Sequence, residues 1–325
     1  MSNKIKRRQF GQLAAGSLTA TLLADLSGKV LAQNQERVWG VSLLNSSEVE
    51  DLENIAPGLE LVETNVNPGG IPLPTTIPPQ AVENIGDRLP SRPQAFFLPP
   101  YSRVTAITTL TDGTGTLVIA TYSQTKNKHP NKLVLISDKK NKDKIKVKAK
   151  KIKDFDNPHQ TIESFVSYPD DPNLLLCIVG HKGVPPFIWK FLNLRNNKIL
   201  PDLPPFPPIN HRMANLCLAP NGRDIFATET GPEGPILISF NLQNKSQITG
   251  KVIINRLNPL SFDSEPAVND ALSLTFSANG KLYALATDTQ ENSNGLYEVE
   301  LRTPNNLGRL REIKKLKVEK LTIST

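Results

Sequence analysis

The sequence lacks the signatures of several common protein classes. Two cysteines, Cys177 and Cys217, are too few for a disulfide scaffold. Both stand between large apolar residues, as buried free thiols do; a disulfide between them is the alternative. No Gly-x-Ser-x-Gly, His-Glu-x-x-His, dinucleotide-binding loop or phosphate-binding loop occurs, so these kinds of catalytic or nucleotide site are not indicated. No basic stripe with interleaved aromatics is present, and we expect no nucleic-acid partner.

Positive charge is concentrated at the N-terminus. The chain of 325 residues carries a formal net charge of +7, and basic residues open it at Lys4–Arg8. A mildly apolar stretch over 13–26 follows, too short and polar for a stable membrane span, and then Val30-Leu31-Ala32, which suits a signal peptidase. We therefore predict a signal peptide over 1–32 and no transmembrane span in the mature protein.

The core of this predicted signal peptide, Arg7-Arg8-x-Phe10, resembles a twin-arginine (Tat) export signal. The resemblance implies export by the Tat route to the periplasm, or to the thylakoid lumen in a host with thylakoids. A plain secretory signal and an uncleaved anchor are the alternatives.

A hairpin unit recurs along the rest of the chain. It is clearest in Ser273–Ala286, where two alternating apolar runs flank Asn279-Gly280, the strongest short hairpin signal. Three further units carry turns at Asp112-Gly113, Pro169–Pro172 and Pro220–Gly222. The turns are spaced by about 50–60 residues, a period typical of propellers and solenoids. Each unit continues with a third and usually a fourth strand, which indicates a β-propeller blade.

The two ends of the chain predict how the ring closes. Residues 317–323 match the first strand of a blade, and Val38–Ser42 matches a second strand. Pairing of the two would remove exposed sheet edges. We therefore predict an all-β fold, a five-bladed β-propeller over 36–325 closed by pairing of its terminal strands; the alternative is a fragment with an orphan last strand. The predicted blades are 101–155, 160–200, 211–256, 269–316, and 317–325 with 37–66.

Two further segments have both a structural and a functional interpretation. The proline-rich segment 67–100 is predicted to be an extended connection, with a partner-binding polyproline segment as the alternative. Lys144–Lys150 alternates lysine with apolar residues, as an outermost blade strand protected against edge pairing does. An anionic docking patch is the alternative there.

Candidate site residues are predicted on one face of the propeller. The four histidines follow second strands or lie in blade connections, and these loops are longer than the turns on the other face; long loops on a rigid scaffold often carry binding sites. Such a mixture of groups could hold a divalent, calcium-like cation or place a general base. The predicted binding residues are Arg103, His159, Glu163, His181, His211, Asn215, Glu229 and Asp270.

The hairpin motif Pro220-Asn221-Gly222-x-x-Ile225-Phe226-Ala227 resembles those of gluconolactonase-like and strictosidine-synthase-like propellers. The resemblance implies a fold and not an activity, since propellers of unrelated function share it. Hydrolytic members of that group bind a calcium-like ion through Glu and Asn residues at the channel.

We therefore expect an exported, monomeric protein of the binding or assembly-factor kind, with a protein or small-molecule ligand at the channel face. A metal-assisted hydrolase of lactones, esters or glycans is the alternative, motivated by Glu163, His211, Asn215 and Asp270. A lectin-like propeller is less favoured, because Tyr101 and Tyr122 are few for a site with an aromatic on each blade.

Overall fold

The computed structural model describes the parts of the chain that form its sheets. These are residues 37–44, 58–65, 75–76, 96–97, 102–112, 114–123, 130–138, 145–155, 157, 159–201, 205–231, 234–262, 271–288, 293–301, 307–315 and 320–324. Within these ranges every regular element is a β-strand, and no helix is long and apolar enough to cross a membrane. The predicted signal peptide and the connection after residue 44 lie outside the described residues.

The first described strands belong to one sheet. Its strands are β1 (Arg37–Leu44), β2 (Gly58–Asn65), β3 (Thr75–Thr76) and β4 (Phe96–Phe97). Strand β2 pairs antiparallel with β1 and also pairs with the two-residue strands β3 and β4.

Four regular sheets follow, each made of four antiparallel strands in sequence order. The first contains β5 (Ser102–Thr109), β6 (Leu117–Ser123), β7 (Asn131–Asp138) and β8 (Ile145–Lys151). The second contains β9 (Thr161–Ser167), β10 (Leu174–His181), β11 (Val184–Asn193) and β12 (Lys198–Ile199). The third contains β13 (Arg212–Leu218), β14 (Asp224–Gly231), β15 (Gly234–Lys245) and β16 (Val252–Pro259). The fourth contains β17 (Ala271–Phe276), β18 (Leu282–Asp288), β19 (Ser293–Val299) and β20 (Leu310–Lys315).

The last strand, β21 (Lys320–Ser324), pairs with β1 and so joins the first sheet. Trp39 stands opposite Thr322, and Gly40 stands opposite Leu321. The innermost strands also touch in order: β5 lies beside β9, β9 beside β13, β13 beside β17, β17 beside β21, and β21 beside β5. First strands gathered around a common axis, with their sheets radiating outward, make the chain an all-β propeller.

The prediction of five regular blades is corrected: the structure has four regular blades and one irregular sheet. Four are four-stranded blades, whereas the sheet of β21, β1 and β2 ends in two separate two-residue strands. Its outer strands come from the proline-rich segment, where Pro74 precedes Thr75 and Pro78 follows two residues after Thr76. Proline has no backbone N–H to donate to a ladder, which explains why these strands are so short.

Hairpin turns are fixed by glycine and by side-chain caps. Gly280 has φ 78°, in the left-handed region that glycine adopts without steric cost. At the preceding unit the Asn221 side-chain oxygen accepts hydrogen bonds from the backbone N–H groups of Arg223 and Asp224, both at 3.0 Å. Asparagine and glycine therefore set these turns, as the sequence predicted.

The hydrophobic core lies between consecutive blades. One cluster joins the first and second blades through residues such as Leu133 and Phe165. Another joins the second and third through Trp189 and Phe240, whose rings meet edge to face at 5.7 Å. Packing side chains across each blade interface fixes the angle between sheets, and so holds the inner strand ends in place around the axis.

Candidate functional site

A cavity lies at the mouth of the channel where the turns between first and second strands gather. Its volume is about 340 Å³. The ends of β5, β9, β13, β17 and β21 all contribute to its wall. The residues used below are Thr108, Ser167, Cys217, Pro220, Thr275, Phe276 and Thr322.

Hydroxyl groups dominate the polar part of this wall. Thr108, Thr275 and Thr322 are buried in the strand ends. Ser167 of the second blade donates a hydrogen bond to the carbonyl oxygen of Thr109 in the first blade, at 3.1 Å. Phe276 and Leu274 supply apolar surface between these groups. Thr108 also donates to the Thr109 carbonyl oxygen, at 3.4 Å, so the hydroxyl oxygens of Thr108 and Ser167 are left as neutral acceptors next to an apolar wall.

Cys217 also borders the cavity but is not poised as a nucleophile. Its side chain is buried, and burial raises the pKa of its thiol well above the ordinary value. A neutral thiol is a poor nucleophile. Cys177 lies in the cluster between the first and second blades and Cys217 in that between the third and fourth; both are free, so the alternative of a disulfide between them is wrong.

The predicted site residues lie toward the opposite mouth, which carries the longer loops. Glu163 is buried in β9, where its carboxylate accepts hydrogen bonds from the Thr161 hydroxyl and, at 2.8 Å, from the backbone N–H of Gly183. Asn215 is buried in β13 with φ 59°, and its amide nitrogen donates to the Thr228 hydroxyl at 2.9 Å. Both side chains therefore stabilise their own blades.

These two residues occupy equivalent irregularities in the inner strands. The pairing register shifts around Glu163 in β9 and Asn215 in β13, and it shifts again near Thr105 in β5 and Leu272 in β17. A β-bulge changes the direction of a side chain. The recurrence explains why the repeat brings chemically different residues to the same place in each blade.

Glu229 and His211 lie together at the third blade. Nε of Arg256 lies 2.6 Å from Oε2 of Glu229 and Nη2 lies 2.9 Å from Oε1, which forms a two-point ion pair. The Arg256 guanidinium holds the pKa of the Glu229 carboxyl below its ordinary value, and His211 adds a smaller effect in the same direction. Arg256, on the fourth strand of the blade, was not among the predicted residues because no sequence pattern links it to Glu229.

The remaining predicted residues are distributed around this mouth. His159 and His211 are exposed, and His181 is half-buried at the end of β10. Asp270 lies outside the described residues. In the part of the chain that the structure describes, no three His, Cys, Asp or Glu residues form a group that could hold a metal ion.

Arg103 is held differently from the carboxylates. Its guanidinium lies over the ring of Tyr122, 5.7 Å from the ring centroid, and the Lys182 ammonium lies 5.9 Å from the same centroid. The Nε and Nη2 atoms of Arg103 are buried and have no hydrogen-bond partner among the described residues. Sequence analysis did not predict Lys182 and Tyr122 as site residues, because they come together only when the first and second blades pack against each other.

Comparison with known proteins gives fold similarity alone. No protein-family model matches the sequence, and no curated protein matches it. A solved nidogen–laminin complex is 8% identical, with a TM-score of 0.46 over 90% of this chain and 98% of that one. A putative 6-phosphogluconolactonase from Bacteroides fragilis NCTC 9343 is 10% identical, with a TM-score of 0.43 over 90% and 99%. A gluconolactonase from Xanthomonas campestris is 10% identical, with a TM-score of 0.38 over 67% and 77%. Gluconolactonase-like propellers are thus among the similar structures, as the hairpin resemblance implied, and at these values they carry no functional argument.

Proposed function

We propose that this protein is a binding protein that holds a small, neutral polar ligand on the axis of its propeller. The observation that carries the proposal is the cavity of about 340 Å³ to which all five inner strands contribute. Ligand sites are concave, commonly about 300–1,000 Å³, and combine apolar walls with a few polar groups. Hydroxyl oxygens from several strands suit a ligand that donates hydrogen bonds.

The proposal is tested by obstructing the cavity at its rim. Pro220 lines the cavity and is exposed, so Pro220→Trp should reduce access without disturbing the core. Ala278 is exposed on the next turn and lies outside the lining, so Ala278→Trp is the matched control. The probes are a panel of methyl glycosides and N-acetyl amino-acid amides, measured by thermal shift and then calorimetry.

We expect at least one probe class to bind the unmodified protein saturably, with affinity at least tenfold weaker in Pro220→Trp and unchanged in Ala278→Trp. Equal binding to both variants, or the lack of any saturable binding across the panel, would show that the cavity is not a site for such ligands.

The hydrolase alternative is not favoured. Two of the four residues that motivated it, Glu163 and Asn215, hydrogen-bond within their own blade. A role as an assembly factor stays a prediction, and the cavity is no evidence for or against it.

The proposal includes a ring closed by the sheet of β21, β1 and β2, acting as a fifth and irregular blade. A recurring hydrogen bond supports it: Leu216 N–H donates to the Ser164 hydroxyl between the second and third blades, at 2.7 Å. The equivalent bond runs from Leu321 N–H to the Ser273 hydroxyl, at 3.1 Å. The contact of β21 with β5 is the remaining interface such a ring needs.

Export by the Tat route to the periplasm or thylakoid lumen is also part of the proposal, supported by Arg7-Arg8-x-Phe10. Replacing both arginines by lysine preserves the charge, and in a bacterial host it should leave precursor in the cytoplasm; Lys4→Arg is the control. Undiminished export of the double variant would favour a plain secretory signal.

A further inference from the structure

Two donor atoms of the Arg103 guanidinium are buried near the loop-bearing mouth and are not used by the fold. Nε and Nη2 lie on one edge of the guanidinium, and both are buried without a hydrogen-bond partner among the described residues. Burying a charged donor without a partner is costly. The same edge is the one that binds two oxygens of a carboxylate or phosphate at once.

The neighbouring blade brings a second cation, Lys182, to the ring of Tyr122. Lys182 and Gly183 form the two-residue turn between β10 and β11, with φ 57° and 87°. The Lys182 N–H donates to the Thr161 hydroxyl at 2.9 Å, and the Gly183 N–H donates to Glu163 at 2.8 Å. The turn is therefore anchored through its backbone, and the exposed Lys182 side chain is left directed at Tyr122.

Tyr122 is the contact that Arg103 and Lys182 share. Both cations lie within 6 Å of its ring centroid, and the ring itself is 3% exposed. Attraction to the ring face offsets part of the cost of gathering the cations, but it supplies neither with a counter-charge. Among described residues, no ion pair involves either cation.

We propose that Arg103 and Lys182 form a binding site for an oxyanion, the carboxylate or phosphate group of a small molecule, at the interface of the first two blades. Because Nε and Nη2 of Arg103 are buried, the oxyanion must enter the blade interface to reach them. There Arg103 supplies two parallel hydrogen bonds and Lys182 a second positive charge. The site lies at the mouth opposite the hydroxyl-lined cavity and does not depend on a ligand being bound there.

The experiment uses the full chain with inorganic phosphate, acetate and citrate as probes, titrated by calorimetry at low ionic strength. Arg103→Met keeps the apolar stem and removes the donors, Arg103→Lys keeps the charge and removes the fork, and Lys182→Gln removes the second charge. Arg311→Gln, at an exposed arginine on β20, is the control for general surface charge.

We expect one-site binding of at least one probe, weakened at least tenfold by Arg103→Met and Arg103→Lys, three- to tenfold by Lys182→Gln, and not by Arg311→Gln. Preference for phosphate over the two carboxylates, or the reverse, identifies which oxyanion the site takes. Failure of all three probes to bind saturably, or equal binding by Arg103→Met and the unmodified protein, overturns the proposal.

Thermal unfolding with and without probe gives a second and independent readout. A saturating concentration of the bound probe should raise the Tm of the unmodified protein and leave that of Arg103→Met unchanged. An equal rise in both proteins would overturn the proposal.

Discussion

The two mouths of the propeller channel use polar groups in different ways. The turn-bearing mouth contains a cavity whose polar lining residues are mostly threonine and serine, such as Thr108 and Thr275. The loop-bearing mouth is rich in charged and imidazole side chains, but Glu163 and Glu229 are engaged by protein partners there. In the described residues, the titratable groups of the loop-bearing mouth therefore make polar contacts that hold the blades together, whereas the turn-bearing mouth surrounds a cavity. Arg103 is the exception, since its donors are left over.

The largest loss of stability is expected from a change in β21, the last strand, which forms part of the turn-bearing mouth. Leu321 is 1% exposed in β21, and its neighbour Thr322 lines the cavity. Leu321→Ala should destabilise the protein by about 2–5 kcal/mol, because a buried leucine leaves a cavity. Chemical denaturation measures this, with the exposed Glu312→Ala as control. A cost no greater than that of the control would show that β21 is dispensable and that the cavity wall does not need it.

At the loop-bearing mouth, Glu229→Gln should cost about 1–3 kcal/mol near neutral pH, because it leaves a buried amide in place of the carboxylate that Arg256 binds. The folded-state pKa of Glu229 lies below its ordinary value of 4.5, so its stabilisation is present above that value. It is lost as the pH falls through the folded-state pKa. The difference between unmodified protein and variant, followed by denaturation at several pH values, should therefore shrink on acidification. A difference independent of pH would exclude the ion pair as its source.

A smaller difference in stability is expected from glycine substitutions at the two mouths, because the backbone conformations differ. Gly280, in a turn at the cavity mouth, has φ 78°, whereas Gly231, at the end of β14 near the loops, does not have a positive φ; a Cβ at either position would meet nothing within 4 Å. Gly280→Ala should therefore destabilise by about 1 kcal/mol through backbone strain alone. Gly231→Ala should be neutral or slightly stabilising. Equal effects of the two changes on denaturation midpoints would contradict this assignment.

The smallest effect is expected from thiol reagents. Burial raises the thiol pKa of both Cys177 and Cys217, so both should react at pH 8 at least a hundredfold more slowly than free cysteine. Denaturant should release two thiols per chain to an aromatic disulfide reagent. Rapid modification of one thiol in the folded protein, mapped to Cys217, would show that the cavity opens more widely than its structure suggests.

Much of the fold could be predicted because its signals are local. Alternating apolar residues around Asn279-Gly280 and Pro220-Asn221-Gly222 specify hairpins through contacts a few residues apart. The pairing of β1 with β21 was also predictable, since each strand matches a repeat position. The irregular outer edge of that sheet was not predicted, because proline removes donors without indicating which short segments still pair.

The sequence by itself determined that this chain is built from repeated antiparallel hairpins, because strand period and turn chemistry act between near neighbours. It also determined which residues could carry charge at the loops. Only the tertiary structure decided that a cavity lies at the turn-bearing mouth, that Arg256 neutralises Glu229, and that Arg103 and Lys182 both lie near Tyr122. Each of these depends on residues far apart in the chain that strand pairing within a blade or packing between blades brings together, and no local pattern encodes that distance.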